Sequence, residues 1–174
     1  MEVILEPYGE EIDDVTEQIK KIIVNEPPKT IKNEKGIINF YIKDFDKHFC
    51  IFEKLYDENN HETIYVFVFK GYFLHEGGLT EDLVPKNNGP YKIGGINVSK
   101  DQYMEWMLNK EVSVIKDQLI EILKKHPPEV LKGEKGHINM GDPVDIIITE
   151  KTIYKSDPNR SKYSFIIPGY YTLI

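Results

Sequence analysis

Several residue types are scarce or absent in this chain of 174 residues. Cys50 is the only cysteine, Arg160 is the only arginine, and alanine does not occur. A single cysteine cannot form an intrachain disulfide, which fits a reducing compartment, so we expect a cytoplasmic protein with Cys50 buried in its apolar run. Arginine is the side chain that binds phosphate groups in a bidentate manner, and its near absence argues against a phosphate site.

Membrane segments, targeting segments and the common catalytic motifs are not recognisable. No apolar run approaches the ~18 residues that a transmembrane helix needs, and the acidic first residues are unlike a signal peptide. The glycine pairs at 77–78 and 94–95 lack the Walker and dinucleotide-binding spacings. A Gly-x-Ser-x-Gly elbow does not occur either. We therefore expect a protein without a cofactor.

Basic residues are also fewer than acidic ones. The chain has 29 Asp and Glu against 22 Lys and Arg, which gives a net charge of −7 and a pI near 5.3. A negative surface repels nucleic acids and anionic membranes, so we expect neither of them as a partner. The charge instead fits a protein partner with a basic surface.

The five histidines do not form a metal-binding pattern. None has the His-x-x-x-His or His-Glu-x-x-His spacing, and a second cysteine is not available for zinc. Two groups have some catalytic character, His75 with Glu76 at a strand-to-loop junction and His137 with Asp142. A nucleophile is identifiable beside neither group. We expect no metal site and no catalytic residue.

The main positive feature is a stretch that occurs twice, 100 residues apart. Residues 11–39 align with residues 111–139 without a gap, and 11 of the 29 positions are identical. Further along, residues 67–73 resemble residues 165–171 at a spacing of 98. We therefore predict that the chain contains two tandem copies of one unit.

Each copy contains the pattern of an amphipathic helix. In the first copy, apolar residues recur every three or four positions and predict a helix over about residues 10–26, which the following double proline must end. In the second copy the pattern runs from a capping box at residues 99–102 to residue 126. This length leaves room for a break near Asn109.

Runs of β-branched and aromatic residues predict the strands. Residues 2–8, and a short run within residues 91–98, predict a strand before each helix. The strands expected after the helices span residues 37–42, 48–56, 63–74, 144–154 and 162–173. Residues 64–69 are apolar at every position, which predicts a central strand buried on both faces. Gly71 predicts a bulge, and Pro168 predicts that the last strand is an edge on one side.

These patterns predict an α+β fold made of two tandem strand–helix–three-strand copies related by a pseudo-twofold axis. A mainly antiparallel sheet would pack on the two helices. The first copy would span residues 1–74 and the second residues 99–174, with a connecting loop over residues 75–98, in one compact body. The sequence leaves open whether there are one or two sheets, whether a cleft separates the copies, and the oligomeric state.

The leading functional hypothesis is a non-enzymatic binding protein, an inhibitor or immunity-type protein that neutralises a protein partner such as a toxin or nuclease. Small size, net acidity and the lack of catalytic groups are typical of that class. Acidic side chains would steer the partner and aromatic ones would anchor it. The predicted partner-binding residues are Glu76, Glu81, Asp82, Tyr91, Tyr103 and Trp106.

Two alternatives remain at this stage. One is a small-molecule binding or sensor module, with the ligand between the copies and strand aromatics as walls. The other is a hydrolase that uses His75 with Glu76, or His137 with Asp142, and it requires these polar groups to converge in one pocket.

Overall fold

The structure, a computed structural model, describes residues 5–41, 49–76, 83–153 and 160–174, with the backbone alone for residues 5–9. In chain order the described elements are α1 (Leu5–Asn25), β1 (Ile31–Asn33), β2 (Gly36–Phe40), β3 (Glu53–Asp57), β4 (Glu62–His75), β5 (Lys92–Ile93), β6 (Ile96–Asn97), α2 (Lys100–Lys125), β7 (Leu131–Lys132), β8 (Gly136–Met140), a 3-10 turn (Pro143–Asp145), β9 (Ile147–Ile153) and β10 (Ser161–Leu173). Every described strand pair is antiparallel. The predicted α+β class is therefore confirmed.

Helix α1 begins earlier than the sequence predicts. Residues 5–8 were expected to end an edge strand, but they form the first turns of the helix. Pro7 is compatible with this position because the first N–H groups of a helix have no partner within it. The prediction for residues 1–4 lies outside the described residues. On α1 the buried apolar residues are Val15, Ile19, Ile22 and Ile23.

Helix α2 is continuous from Lys100 to Lys125, so the break expected near Asn109 does not occur. The capping box forms as predicted: the hydroxyl of Ser99 accepts from the backbone N–H of Gln102, and the Gln102 side chain accepts from the N–H of Ser99. One side of the helix is buried over almost its whole length, and this packing offsets the cost of ordering a long helix. None of the described helices has the length and apolar character needed to span a membrane.

The main sheet has the strand order β1-β2-β4-β10-β8-β7, with β3 pairing to β4 and β9 to β10. The order is symmetric about its centre, because β1, β2 and β4 on one side correspond to β7, β8 and β10 on the other. We refer to α1 with β1–β4 as the first half and to α2 with β7–β10 as the second half. The halves share one sheet, joined through β4 and β10. The short β5–β6 hairpin pairs only with itself, so the strand expected before α2 does not join this sheet.

Alternate residues of β4 and β10 are buried under the two helices. Residues such as Tyr65, Phe67 and Phe73 of β4 are almost inaccessible, whereas their even-numbered neighbours are only half-buried. β4 is central, as predicted, but the prediction that both its faces are buried is wrong. The helices cover a single face of the sheet, and aromatic and β-branched residues occur on the other because they suit a pleated surface.

The predicted bulge at Gly71 is also wrong. β4 and β10 pair without interruption from Thr63–Leu173 to His75–Ser161. Gly71 is instead a point of close approach, since a Cβ there would lie 2.6 Å from Cζ of Phe165 and 2.7 Å from the carbonyl oxygen of Asn39. The irregularity in register lies between β9 and β10, beside Ser164.

Pro168 does not mark an edge, because β10 is a central strand. On the side away from β4, β10 pairs with β9 up to Ile166 and with β8 from Gly169 onward. Pro168 lies in the gap between these two ladders, where its missing N–H interrupts neither of them. The rule about proline holds locally, but it does not decide the position of the whole strand.

The strands on either side of the central pair are shorter than expected. The predicted strand over residues 48–56 corresponds to β3, which begins at Glu53; residue 48 lies outside the described residues, and Cys50 is exposed rather than buried. The strand expected over residues 144–154 starts with the 3-10 turn. Asp142 caps this turn by accepting from the N–H of Val144 at 3.0 Å.

Candidate functional site

A buried carboxylate lies on the face of α2 that contacts the sheet. The side chain of Glu111 is 3% exposed, and the ammonium group of Lys151 on β9 lies 2.6 Å from its Oε1 atom. The hydroxyl of Tyr163 on β10 donates to the same oxygen. Burial is the main cause that raises the pKa of Tyr163, and the hydrogen bond to the Glu111 carboxylate adds to it. The phenol therefore remains protonated and continues to donate.

The first half contains the same grouping at corresponding positions. The carboxylate of Glu11 on α1 accepts from the ammonium group of Lys54 on β3 and from the hydroxyl of Tyr65 on β4. Hydrogen bonds from Lys54 and Tyr65 lower the pKa of Glu11. Here, however, both charged side chains are about one-third exposed, at 33% for Glu11 and 34% for Lys54.

These two Glu–Lys–Tyr clusters were not predicted as a set. The repeat shows glutamate at both 11 and 111. An acidic side chain within an apolar stripe, however, is normally expected to be exposed to solvent. The lysines and tyrosines lie 97 and 98 positions apart and belong to different strands. A search for polar residues repeated at nearly the same spacing would have found the clusters.

His75 and Glu76 do not converge. His75 is buried against the rings of Phe73 and Tyr163. Burial is the main cause that lowers the pKa of His75. Glu76 is exposed and forms an ion pair with Arg160 at 3.2 Å. The structure thus leaves His75 in the core and Glu76 at the surface, and it does not bring the two groups together.

His137 and Asp142 belong to different elements. His137 is a half-buried residue of β8, and the carboxylate of Asp142 caps the 3-10 turn. Within the described part of the chain, no three His, Cys, Asp or Glu side chains come together as metal ligands.

Three of the predicted partner-binding residues do lie together. The rings of Tyr91 and Tyr103 are 5.4 Å apart, and those of Tyr103 and Trp106 are 5.9 Å apart. Tyr103 is buried at the base of this aromatic cluster, while Trp106 is half-buried with the ammonium group of Lys110 4.2 Å from its ring centre. The cluster joins the β5–β6 segment to the first turns of α2. Glu81 and Asp82 lie outside the described residues.

Beside this cluster, two apolar residues of α2 remain exposed. Met104 is 37% exposed and Leu108 is 43% exposed. Both lie in line with the buried stripe of the helix, because the spacing from Leu108 to Glu111 and Ile115 continues at three and four residues. Met104 and Leu108 therefore form an exposed apolar pair beside the buried residues Tyr103 and Met107 of the same turns.

Two cavities lie between the halves. The first, of about 300 Å³, separates α1 from the turn of the β7–β8 hairpin, with Tyr171 among its lining residues. The second, of about 460 Å³, lies where both helices end, between Pro27-Pro28 and Pro127-Pro128. An exposed ion pair of 3.3 Å between Lys29 and Glu129 belongs to this second cavity. Neither cavity is lined by the histidines of the hydrolase hypothesis.

Comparisons with protein-family models, with curated proteins and with solved structures found no match to this chain.

Proposed function

We propose that this protein is a non-enzymatic binding protein that neutralises a protein partner with a basic surface, in the manner of an inhibitor or immunity protein. The observation that carries the proposal is the exposed apolar pair of Met104 and Leu108 beside the buried stripe of α2. Apolar side chains aligned on one helix face are a common way to dock another protein.

The neighbouring residues support the same surface. Tyr and Trp are enriched at protein interfaces, and the aromatic cluster of Tyr91, Tyr103 and Trp106 adjoins the exposed apolar pair. Its internal ring contacts hold Trp106 in place before binding, which reduces the entropy lost when a partner docks. The net charge of −7 would accelerate encounter with a basic partner.

We further propose that the two halves are copies of one ancestral unit, which consists of a helix and the four strands that follow it. The symmetric strand order, the corresponding Glu–Lys–Tyr clusters and the repeated sequence support this origin. Paired strands β4 and β10 would then lie on the pseudo-twofold axis, with the added aromatic surface of the second half as the specialised part.

A binding experiment with paired variants tests the proposed function. The test variant carries Met104→Glu and Leu108→Glu, and the control carries Val24→Glu, which changes a 70% exposed valine on α1. A partner is first captured on a column of immobilised wild-type protein. It is then purified and titrated against each variant by calorimetry. We expect the double variant to bind at least about 30-fold more weakly, which corresponds to the loss of one hot spot, and the control to bind normally.

Three results would count against this function. Equal affinity of the double variant and the control would show that the α2 surface is not the interface. Recovery of a metabolite but never a protein on the wild-type column would remove the partner hypothesis itself. Affinity that does not fall with added salt would contradict the basic character of the partner.

A further inference from the structure

We infer that the cavity between α1 and the β7–β8 hairpin is a binding site for a small carboxylate, a ligand of amino-acid or hydroxy-acid size. This inference is independent of the protein-binding surface on α2. The cavity volume of about 300 Å³ is at the lower end of the range for small-molecule sites.

The floor of the cavity is polar and held in position. Tyr171 is fully buried, and its hydroxyl donates to Oε1 of Gln18 at 2.6 Å. The Nε2 atom of Gln18 in turn donates to the carboxylate of Asp14 at 3.0 Å. Burial and the nearby Asp14 carboxylate raise the pKa of Tyr171, so its hydroxyl stays neutral. A ligand entering the cavity meets the Gln18 amide, which the buried Tyr171 hydroxyl and the Asp14 carboxylate hold in position.

Three ammonium groups line the mouth of the cavity and could bind an anion. Two of the lining carboxylates are already engaged, Asp14 by Gln18 and Glu17 by Lys20 at 3.7 Å. The lining lysines have no ion-pair partner among the described residues, and they are Lys21, Lys132 and Lys135. The lining also contains three carboxylates, those of Asp14, Glu17 and Glu134, so the case for an anion depends on where the lysines lie and not on their number.

The corresponding place in the other half shows which group is missing. There the ammonium group of Lys35 lies 3.8 Å from the carboxylate of Glu121, so an ion pair links α2 to the turn of the β1–β2 hairpin. Lys35 corresponds to Lys135, but Glu121 corresponds to Lys21. Two like charges therefore face the first cavity where the other half has a bridge. A ligand carboxylate between Lys21 and Lys135 would take the place of the Glu121 carboxylate.

Two further differences lie on the same side of the cavity, and the first lets α1 pack closely against the hairpin. Gly133 stands where the other half has Asn33, and a Cβ at Gly133 would lie only 2.5 Å from Cγ1 of Ile22. Tyr171 stands where the other half has Phe73, so the floor gains a hydroxyl. Lysine binds anions as a point charge and does not by itself distinguish carboxylate from phosphate. The Gln18 amide, positioned by the Tyr171 hydroxyl, would favour a ligand with a second polar group.

The test copies the residues of the other half into the cavity. Lys21→Glu supplies the missing carboxylate from the protein, and Tyr171→Phe removes the hydroxyl; both residues are already accommodated at the corresponding positions, so we expect both variants to fold. Lys124→Glu, on the last turn of α2, makes the same charge change away from the cavity. The probe is L-malate at millimolar concentration, followed by amide chemical shifts and thermal stability, with inorganic phosphate and sodium chloride as comparison anions.

We expect saturable binding of malate to the wild-type protein, with shifts centred on residues 132–136. Binding should be lost in Lys21→Glu, weakened several-fold in Tyr171→Phe and retained in Lys124→Glu. Equal binding to the Lys21→Glu variant, equal effects of malate and chloride, or no saturable effect of malate would overturn the inference. Tighter binding of phosphate than of malate would overturn the assignment of a carboxylate. None of these results bears on partner binding through α2.

Discussion

Glu11 and Glu111 have the same partners but different access to solvent. Glu111 is 3% exposed and its partner Lys151 is 17% exposed, whereas Glu11 and Lys54 are each about one-third exposed. A buried ion pair costs desolvation free energy and depends on every partner being present. An exposed pair contributes little in either direction. The same three residue types therefore carry different energetic weight in the two halves.

Replacement of each glutamate by glutamine should separate these two cases. In Glu111→Gln, the buried ammonium group of Lys151 loses its counter-charge, and we expect a loss of about 3–5 kcal/mol in the free energy of unfolding. Glu11→Gln is the matched control and should cost about 1 kcal/mol or less, because water can solvate Lys54. Urea unfolding at neutral pH measures both values. Equal costs would contradict the assigned difference in burial.

His75 is a buried titratable group on the face of the sheet that packs against α2. Burial lowers its pKa most strongly and Lys35 adds to this, while the Glu111 carboxylate and the Gln118 side chain act in the opposite direction. In the unfolded chain histidine binds a proton at about pH 6.5. The unfolded state therefore binds more protons than the folded state once the pH falls below this value, and acid destabilises the fold.

The leucine variant of His75 should remove this pH dependence. Leu173 occupies the corresponding place on β10, so His75→Leu has a precedent in the other half. We expect the wild-type protein to lose stability as the pH falls from about 6.5 toward the folded-state pKa, with a slope of at most about 1.4 kcal/mol per pH unit from this group. The variant should show a flatter profile in urea unfolding at several pH values. Parallel profiles would exclude His75 as the cause.

At the level of elements, the β4–β10 pair depends on two glycines that face aromatic rings. Gly71 pairs with Phe165, and Gly169 pairs with Phe67 in the same register. A Cβ at Gly71 would approach both the Phe165 ring and the backbone oxygen of Asn39, whereas one at Gly169 would meet the rings of Phe67 and Phe69. A ring can shift by a few tenths of an ångström more easily than a backbone carbonyl of a paired strand.

Alanine at these two glycines should therefore have unequal effects. We expect Gly71→Ala to cost about 2–3 kcal/mol and Gly169→Ala about 1–2 kcal/mol, both through overpacking of the core. Denaturant unfolding of the two single variants gives the comparison. A larger loss in Gly169→Ala would show that the Phe67 and Phe69 rings are held more rigidly than the carbonyl of Asn39.

At the level of the whole molecule, each helix also contacts the other half. Glu26, just after α1, accepts from the backbone N–H of Lys132 at 3.3 Å, and Tyr171 of β10 bonds Gln18 of α1. In the opposite direction, Lys35 of the first half pairs with Glu121 of α2. Together with the shared sheet, these contacts make separate unfolding of the halves unfavourable.

Core truncation in either half should affect one common unfolding transition. Ile19→Ala and Leu119→Ala remove fully buried side chains at corresponding positions, and each should cost about 2–5 kcal/mol. Fluorescence of Trp106, which reports on the second half, and far-ultraviolet circular dichroism should give coincident urea curves for both variants. A Trp106 transition unaffected by Ile19→Ala would contradict the interlocked arrangement.

Elements with strong local patterns were predicted within a few residues. The apolar stripe between Val15 and Ile23 and the capping box at Ser99 depend on neighbours three or four residues away, which the sequence displays directly. The predictions at Gly71 and Pro168 were wrong because both depend on distant parts of the chain. Gly71 packs against Phe165, about 100 residues away, and Pro168 lies in a gap between two ladders. Of the predicted partner-binding residues, the structure brings together Tyr91, Tyr103 and Trp106, and their role in binding stays a prediction.

By itself, the sequence determined the helices, the two long central strands, the acidic charge and the repeat, because each follows from spacing or composition along the chain. Only the tertiary structure decided that the halves share one sheet, that Glu111 is buried while Glu11 is not, and that Lys21 and Lys135 line the same cavity. These features depend on which distant residues become neighbours. A change from glutamate to lysine at one position looks neutral in an alignment of the halves, and it acquires a meaning only beside the charge that faces it.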